Sequence, residues 1–336
     1  LRGPRDPYER LVKFGRDPEP APSAPQLVEV AQNRFAYCTL DRASALSCSR
    51  VSATDLHGPT YQPAATLANI KSIAVGNDHA CALTNTQEAW CWGNNDRGQA
   101  NPSSEGPVSA PTHVRSNVSR LELGLSHTCL LLADRKPQIE CMGDDSLGQL
   151  GGFAKTTARS TPPPFDATEV AQLTAGYSRT CALLKTGAVW CWAGYLGVDL
   201  PANQPELSPR RVAEVPNDVV QIAAGGDVIC ARSATGQLRC WGGLQCLDPF
   251  ACPSPAHPQP WPPTLMKTTA PATDVQVGDQ HVCARLETGQ VVCMGANQFS
   301  QLGANLPFTE RQRPAPCLAK EWFEAWSSSE FLTVAW

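Results

Sequence analysis

Twelve of the fifteen cysteines in this chain fall into six pairs: Cys38 with Cys48, Cys81 with Cys91, Cys129 with Cys141, Cys181 with Cys191, Cys230 with Cys240, and Cys283 with Cys293. Five pairs are ten residues apart, the third is twelve apart, and successive first cysteines are separated by 43, 48, 52, 49 and 53 residues. A period of that length belongs to arrays of small supersecondary units, in propellers or solenoids, so the fold has to be read from the unit. Stacking the units on their cysteines brings further residues into line. First cysteines run Cys81-Ala-Leu, Cys181-Ala-Leu, Cys230-Ala-Arg and Cys283-Ala-Arg; second cysteines are followed by a large apolar residue and a turn glycine, as in Cys91-Trp92-Gly93, Cys141-Met142-Gly143, Cys240-Trp241-Gly242 and Cys293-Met294-Gly295.

Within a unit, the stretch from Cys181 to Cys191 reads as a β-hairpin. If the cysteines face each other, Leu183 opposes Val189 and Lys185-Thr186-Gly187 is left as a three-residue loop, with glycine where a left-handed backbone is needed. The same turn recurs at Thr235-Gly236 and Thr288-Gly289. Directly opposed residues of an antiparallel pair lie about 4.5 to 5.5 Å apart at Cα, within disulfide range. Each bridge closes a loop of about eleven residues and contributes on the order of 2 to 3 kcal/mol through the entropy of the unfolded chain. Upstream of each hairpin lies another strand-like run that ends in glycine or a small residue, such as Ile70 to Gly76 and Val219 to Gly225, and before that a proline followed by apolar residues, such as Pro111 to Val114. Three or four short strands per unit, without helical periodicity, fit a four-stranded propeller blade.

The chain ends are complementary halves of one unit. Leu11 to Gly15 matches the second half of a hairpin, with Lys13 at the cysteine position, and Trp326 to Leu332 matches Gly176 to Ala182, with Phe331 at the first cysteine position. The expected fold is therefore all-β: a single seven-bladed β-propeller over residues 1–336, closed by pairing of the N- and C-terminal segments (about 8–20 with 321–336). Closure of this kind removes free sheet edges.

The segments Trp92-Gly93-Asn94-Asn95-Asp96-Arg97-Gly98-Gln99 and Met142-Gly143 through Gly148-Gln149-Leu150-Gly151 carry a resemblance to the regulator of chromosome condensation (RCC1-like) repeat family of seven-bladed propellers. The resemblance covers roughly residues 8 to 336, with degraded copies at Gly197-Val198 and Gly242-Gly243. Cysteine pairs at every hairpin set the chain apart from nuclear members. It resembles the secreted branch, which includes bacterial propellers, propeller-type inhibitors of beta-lactamase and crinkly-type plant receptor ectodomains.

Fifteen cysteines with no Cys-x-x-Cys spacing read as disulfides of an oxidising compartment, placing the chain as secreted, periplasmic or cell-surface. The chain opens on Leu1, compatible with a processed leader. No apolar run reaches the ~20 residues of a membrane-spanning helix. A formal charge of −4 with scattered Lys and Arg gives no basic face for nucleic acid.

Candidate site residues are few. His79, His127 and His281 each stand two residues before a first cysteine; a strand hydrogen bond is the expected role, since metal ligation requires converging ligands. Asn94-Asn95-Asp96 and Asp144-Asp145-Ser146 are oxygen-rich and read as turn chemistry rather than as a calcium loop. Trp92, Trp192 and Trp241 share one repeat position and are expected to pack between blades. The proline-rich insertion 244–264, with a seventh pair, Cys246 and Cys252, and the aromatics Phe250 and Trp261, is either a partner-binding loop or an insertion packed on its own blade. Cys317 is the odd cysteine, at a repeat position where Val114 and Val212 stand elsewhere, and Asn117-Val118-Ser119 is a glycosylation sequon.

No catalytic motif, cofactor loop or metal signature is found in the sequence. The function expected is that of a non-catalytic, protein-binding scaffold without cofactor, serving as an accessory or structural subunit of an extracellular or envelope assembly. The alternative is a soluble inhibitor or receptor-like ectodomain that captures one protein.

Overall fold

The computed structural model describes residues 27–32, 36–41, 46–50, 60–61, 67–134, 138–152, 164–193, 208–242, 261–278 and 281–295. These form six antiparallel sheets, each a meander of consecutive strands. The first comprises β1 (Leu27–Gln32), β2 (Ala36–Asp41), β3 (Leu46–Arg50) and β4 (Thr60–Tyr61); the second β5 (Ile70–Val75), β6 (His79–Thr84), β7 (Ala89–Gly93) and β8 (Val108–Arg115). The third holds β9 (Val118–Leu123), β10 (His127–Leu132) and β11 (Ile139–Gly143); the fourth β12 (Val170–Ala175), β13 (Thr180–Leu184), β14 (Val189–Trp192) and β15 (Arg210–Arg211). The fifth is β16 (Val219–Gly225), β17 (Val228–Ser233), β18 (Leu238–Gly242) and β19 (Trp261–Met266); the sixth β20 (Ala272–Val277), β21 (His281–Leu286) and β22 (Val291–Gly295). The first four sheets belong to one compact unit and the last two to another. Within each unit, neighbouring sheets touch through their first strands, β5 against β1 and β9, β9 against β12, and β16 against β20.

The hairpin register follows the cysteines. Cys38, Cys81, Cys129, Cys181, Cys230 and Cys283 lie directly opposite Cys48, Cys91, Cys141, Cys191, Cys240 and Cys293, and each pair is disulfide-bonded with its Cα atoms 4.1 Å apart. Leu183 opposes Val189, and the twelve-residue spacing of the third pair is absorbed beyond Leu131–Ile139, so the cysteine register survives the longer loop. Because alternate side chains share a face, this register puts Leu83 and Ala89, or Leu183 and Val189, on the cysteine face and Trp92 or Trp192 on the opposite face, all in buried positions.

Two features were not fixed by the periodicity. The proline-bearing strand joins the outer side of the preceding hairpin: β8, with Pro111, pairs with β7, and β19, with Pro262 and Pro263, pairs with β18. Proline lacks a ladder N–H and is tolerated on such an edge strand. Trp261 is accordingly the first residue of a strand, aligned with Gly242, and the insertion ends before it rather than at 264. The second feature is a bulge near the start of each first strand, leaving Val28, Lys71, Ser119, Ala171, Val220 and Thr273 without a partner in the register. Bulges sharpen the local right-handed twist. Two of these residues tie the bulge down by donating a hydroxyl across the ladder, Ser119 to the Leu131 carbonyl and Thr273 to the Arg285 carbonyl.

The hairpin turns show why glycine recurs. Gly187, Gly236 and Gly289 have φ of 80°, 79° and 82°, whereas the equivalent place in the second sheet is held by Gln87 at φ 65°. A left-handed conformation costs a residue with a Cβ about 1–2 kcal/mol. Gln87→Gly should therefore stabilise the fold by about 0.5–1 kcal/mol after the added entropy of the unfolded chain. A Cβ at Gly236 would also meet Pro271 and Ala272 within 2.9 Å, while one at Gly289 meets nothing. Chemical denaturation should find Gly236→Ala more damaging than Gly289→Ala; equal losses would contradict the packing of that turn.

Candidate binding face

In a four-stranded meander, the turn between strands one and two and the connection between strands three and four leave from the same end of the sheet. Here that end carries short turns such as 76–78 and 124–126 and the long connection 94–107. Loops that cluster at one end of rigid sheets are where partner contacts concentrate. The connections after β7 and β11, in the first unit, are built in detail.

Each is a polar clamp. Asn95 is buried, its Oδ1 accepts from the Ala100 and Asn101 amides at 3.0 and 2.7 Å, and its Nδ2 donates to the Asn101 and Ser104 carbonyls at 2.9 and 2.8 Å. In the next sheet, Asp145 Oδ1 accepts from the Leu150 amide at 3.0 Å, and Asp144 Oδ2 accepts from Ser146 Oγ and Gln149 Nε2 at 2.8 and 3.0 Å. Gln99 and Gln149 fold back so that their Oε1 atoms accept from the Arg97 and Leu147 amides, at 2.9 and 2.8 Å. The oxygen-rich segments thus spend their acceptors on donors of their own loops, backbone amides for Asn95 and Asp145 and side chains for Asp144 Oδ2. Among the described residues, no group of three His, Cys, Asp or Glu side chains converges as a metal site.

Beneath these loops, side chains join one sheet to the next. His79 Nε2 lies 2.9 Å from Thr128 Oγ1, which donates to the Gln99 carbonyl at 2.8 Å. The arrangement repeats one sheet on, with His127 Nε2 2.9 Å from Thr180 Oγ1, and Thr180 Oγ1 3.4 Å from the Gln149 carbonyl. Gln149 O also accepts from the indole of Trp192 at 2.9 Å. The turns themselves are linked, the Asn77 amide donating to Leu125 O and the Leu125 amide to Tyr177 O, at 3.2 and 3.1 Å. Glycine is required here by space: a Cβ at Gly124 would lie 2.0 Å from the His127 ring and 2.5 Å from the Gly176 carbonyl.

Burial lowers His79 to a pKa of about 3, with the charge of His127 adding to the effect and a hydrogen bond to the His127 backbone opposing it, and burial lowers His127 to about 4 against the opposing pull of Asp144. Both imidazoles are neutral at pH 7. Glu122, on β9 where Ala74 and Thr174 stand in the neighbouring sheets, is lifted to about 8 by burial, with Arg120 opposing. Sequence reasoning did not single out Glu122; a lone acid at a small-residue position of a first strand was the available signal.

The histidine expectation thus resolves into hydrogen bonds between sheets for His79 and His127. Trp92, Trp192 and Trp241 are buried, and Trp192 packs on the Gly151 loop of the preceding sheet. Asn117 is exposed in the turn before β9, donating from Nδ2 to Asp134 Oδ1 at 2.9 Å. Cys246, Cys252, Phe250 and Cys317 lie outside the described residues, as do the segments 8–20 and 321–336.

Comparison with known proteins agrees with this geometry. Residues 70–99, 170–192 and 272–301 match the regulator of chromosome condensation (RCC1) repeat. The X-linked retinitis pigmentosa GTPase regulator is 27% identical over 143 residues in the dog, covering 39% of this chain and 14% of that protein, and 27% identical over 128 residues in the human, covering 36% and 12%. The chain therefore spans well under a fifth of these relatives' length. Yeast RCC1 (Prp20) in its complex with Kap60 superposes with a TM-score of 0.67 at 19% identity, over 83% of this chain and 72% of the other. The crinkly ectodomain of the Arabidopsis thaliana receptor kinase ACR4 gives 0.52 at 19% identity, over 82% and 81%. At such identities the likeness is one of fold.

The clamp makes a quantitative demand. Asn95→Ala removes two acceptor and two donor contacts from a buried site and should cost about 2–4 kcal/mol. Limited proteolysis should then cut within 96–106 well before the hairpins open; an unchanged cleavage rate would show that the loop is held by something else.

Proposed function

We propose that this chain, built on regulator of chromosome condensation repeats, is a non-catalytic protein-binding scaffold of an oxidising compartment, secreted or envelope-associated, and an accessory or structural subunit of a larger assembly. The observation that carries the reading is the clamped loop after β7: buried Asn95 fixes a backbone on which Asp96, Arg97, Ser103, Ser104 and Glu105 are exposed. A surface ordered before its partner arrives loses less entropy on binding. Six hairpin disulfides point to an oxidising compartment, and among the described residues no helix is long and apolar enough to cross a membrane. Yeast Prp20, which shares the fold, was crystallised bound to Kap60 and studied for binding to Gsp1p and histones. Protein binding is the part of that likeness carried over here. The alternative, a soluble inhibitor or receptor-like ectodomain, is favoured by the fold shared with the ACR4 ectodomain.

Cross-linking in the native source followed by mass spectrometry separates the two. A stable multi-subunit assembly supports the first reading, one soluble protein captured one-to-one supports the second, and turnover of a substrate by the isolated chain overturns both. In either case Phe250, near the disulfide proposed between Cys246 and Cys252, and Trp261 are the aromatic candidates for the contact.

The scaffold we propose is one seven-bladed ring in which segments 8–20 and 321–336 complete the last sheet. Lys13 and Phe331 occupy the positions that hold paired cysteines in the other hairpins. The double variant Lys13→Cys/Phe331→Cys should therefore oxidise to an additional intramolecular disulfide, identified by peptide mapping. Persistence of both thiols in oxidised protein would remove the closure.

A further inference from the structure

Thr128 uses its only proton on the Gln99 carbonyl, so toward His79 its oxygen is an acceptor and the imidazole is the donor. Saturation of Thr128 favours the Nε2–H tautomer of His79, and Thr180, whose proton faces two acceptors, the Gln149 carbonyl at 3.4 Å and the bridged Cys129 Sγ at 3.9 Å, favours the same tautomer of His127. Each Nδ1 is then a buried lone pair without a hydrogen-bond partner. It lies against the glycine of its own turn, a Cβ on Gly76 or Gly124 falling 2.5 Å from it. A proton added to Nδ1 would meet no hydrogen-bond acceptor among the described residues, and a buried unpaired cation is expensive enough that the turn must open to solvate it.

We propose that His79 and His127 form an acid-released latch, closed at neutral pH and opened by protonation of Nδ1, which frees the Gln99 and Gln149 carbonyls and loosens loops 94–106 and 144–152 while the disulfide-bonded hairpins stay folded. The reach into the loops is covalent: the carbonyls that receive the threonine protons belong to the residues that end the Arg97–Gln99 and Leu147–Gln149 folds. Lys71, Asp78, Asp96, Arg97, Glu105, Arg120, Glu122 and His127 are the charged or titratable groups on the elements around His79; Arg120, Glu122, Glu140, Asp144, Asp145, Arg179 and His79 are those around His127. Of these, Asp144 favours the protonated ring, and burial outweighs it.

The sign follows from linkage. Both rings bind protons less readily closed than open, so the closed form is fully favoured above the ordinary histidine pKa near 6.5 and loses ground as pH falls toward 4 and 3. Each imidazole can raise the open population by up to about tenfold per pH unit in that window. Glu122, on the strand beside β10, works the other way. Its raised pKa means that acidification from 8 toward 4.5 favours the folded form. Global stability therefore mixes opposed contributions, and the latch has to be read locally.

Amide exchange, corrected for its intrinsic pH dependence, provides that reading on the intact oxidised chain. The Asn77, Leu125, Ala100 and Leu150 amides should lose protection at least tenfold between pH 7 and 5, while the amides of β6 and β10 hold theirs. His79→Gln and His127→Gln, which retain a donor for the threonine, should flatten the response at the corresponding loop. Ring ¹⁵N shifts of the wild type, which need no variant to fold, should report His79 and His127 as two neutral Nε2–H tautomers at pH 7. Loop protection independent of pH, or Nδ1–H tautomers, overturns the latch. Its use in releasing a partner rests on the binding function proposed above. Loops that loosen in acid while a partner stays bound would sink that use and leave the latch standing.

Discussion

Opposed cysteines in a pleated ribbon set a parity that the rest of the structure inherits. Once Cys81 faces Cys91 and Cys181 faces Cys191, every residue an even number of positions away lies on the same face, and a slip of one residue would turn the entire set over. In the second to fifth sheets that parity puts the residue after the second cysteine on the face opposite the bridge, where Trp92, Met142, Trp192 and Trp241 are buried, Trp192 and Trp241 being among the largest fully buried side chains. The bridges also remove the ordinary remedy for a wrong register, since the two strands cannot slide past each other.

Hairpins alone do not make an array, and the second constraint is how one sheet holds the next. Backbone amides at Asn77 and Leu125 and imidazoles at His79 and His127 reach across to the following sheet. They fit because Gly76 and Gly124 leave room for both a ring and a neighbouring carbonyl. The same groups support the loop clamps above them. Stiffness at the loops is thus a consequence of how the sheets are joined, and this is the physical basis for reading that end of the sheets as a binding face.

Legibility differed between these two levels. Hairpin register, turn glycines and the burial of the repeat tryptophans follow from period and parity, both local properties of the chain. The assignment of the proline-bearing strand to the preceding sheet, and with it the place of Trp261 in β19, does not, because a repeat has no intrinsic first strand. Nor was the first-strand bulge visible: Lys71, Ser119 and Val220 look like ordinary alternating positions until the partner strand is present to leave them unmatched. Of the candidate site, the sequence displayed the recurrent histidines and the Gly-Gln segments without showing that they belong to one hydrogen-bonded system.

The sequence by itself determined the hairpin of each unit, its disulfide pair and its turn, because each depends on residues within a dozen positions of one another. Tertiary structure alone decided the tautomer and neutrality of His79 and His127, the raised pKa of Glu122 and the partner of each buried carbonyl. Those depend on desolvation and on hydrogen-bond partners some fifty residues away in the chain, and no local pattern specifies either.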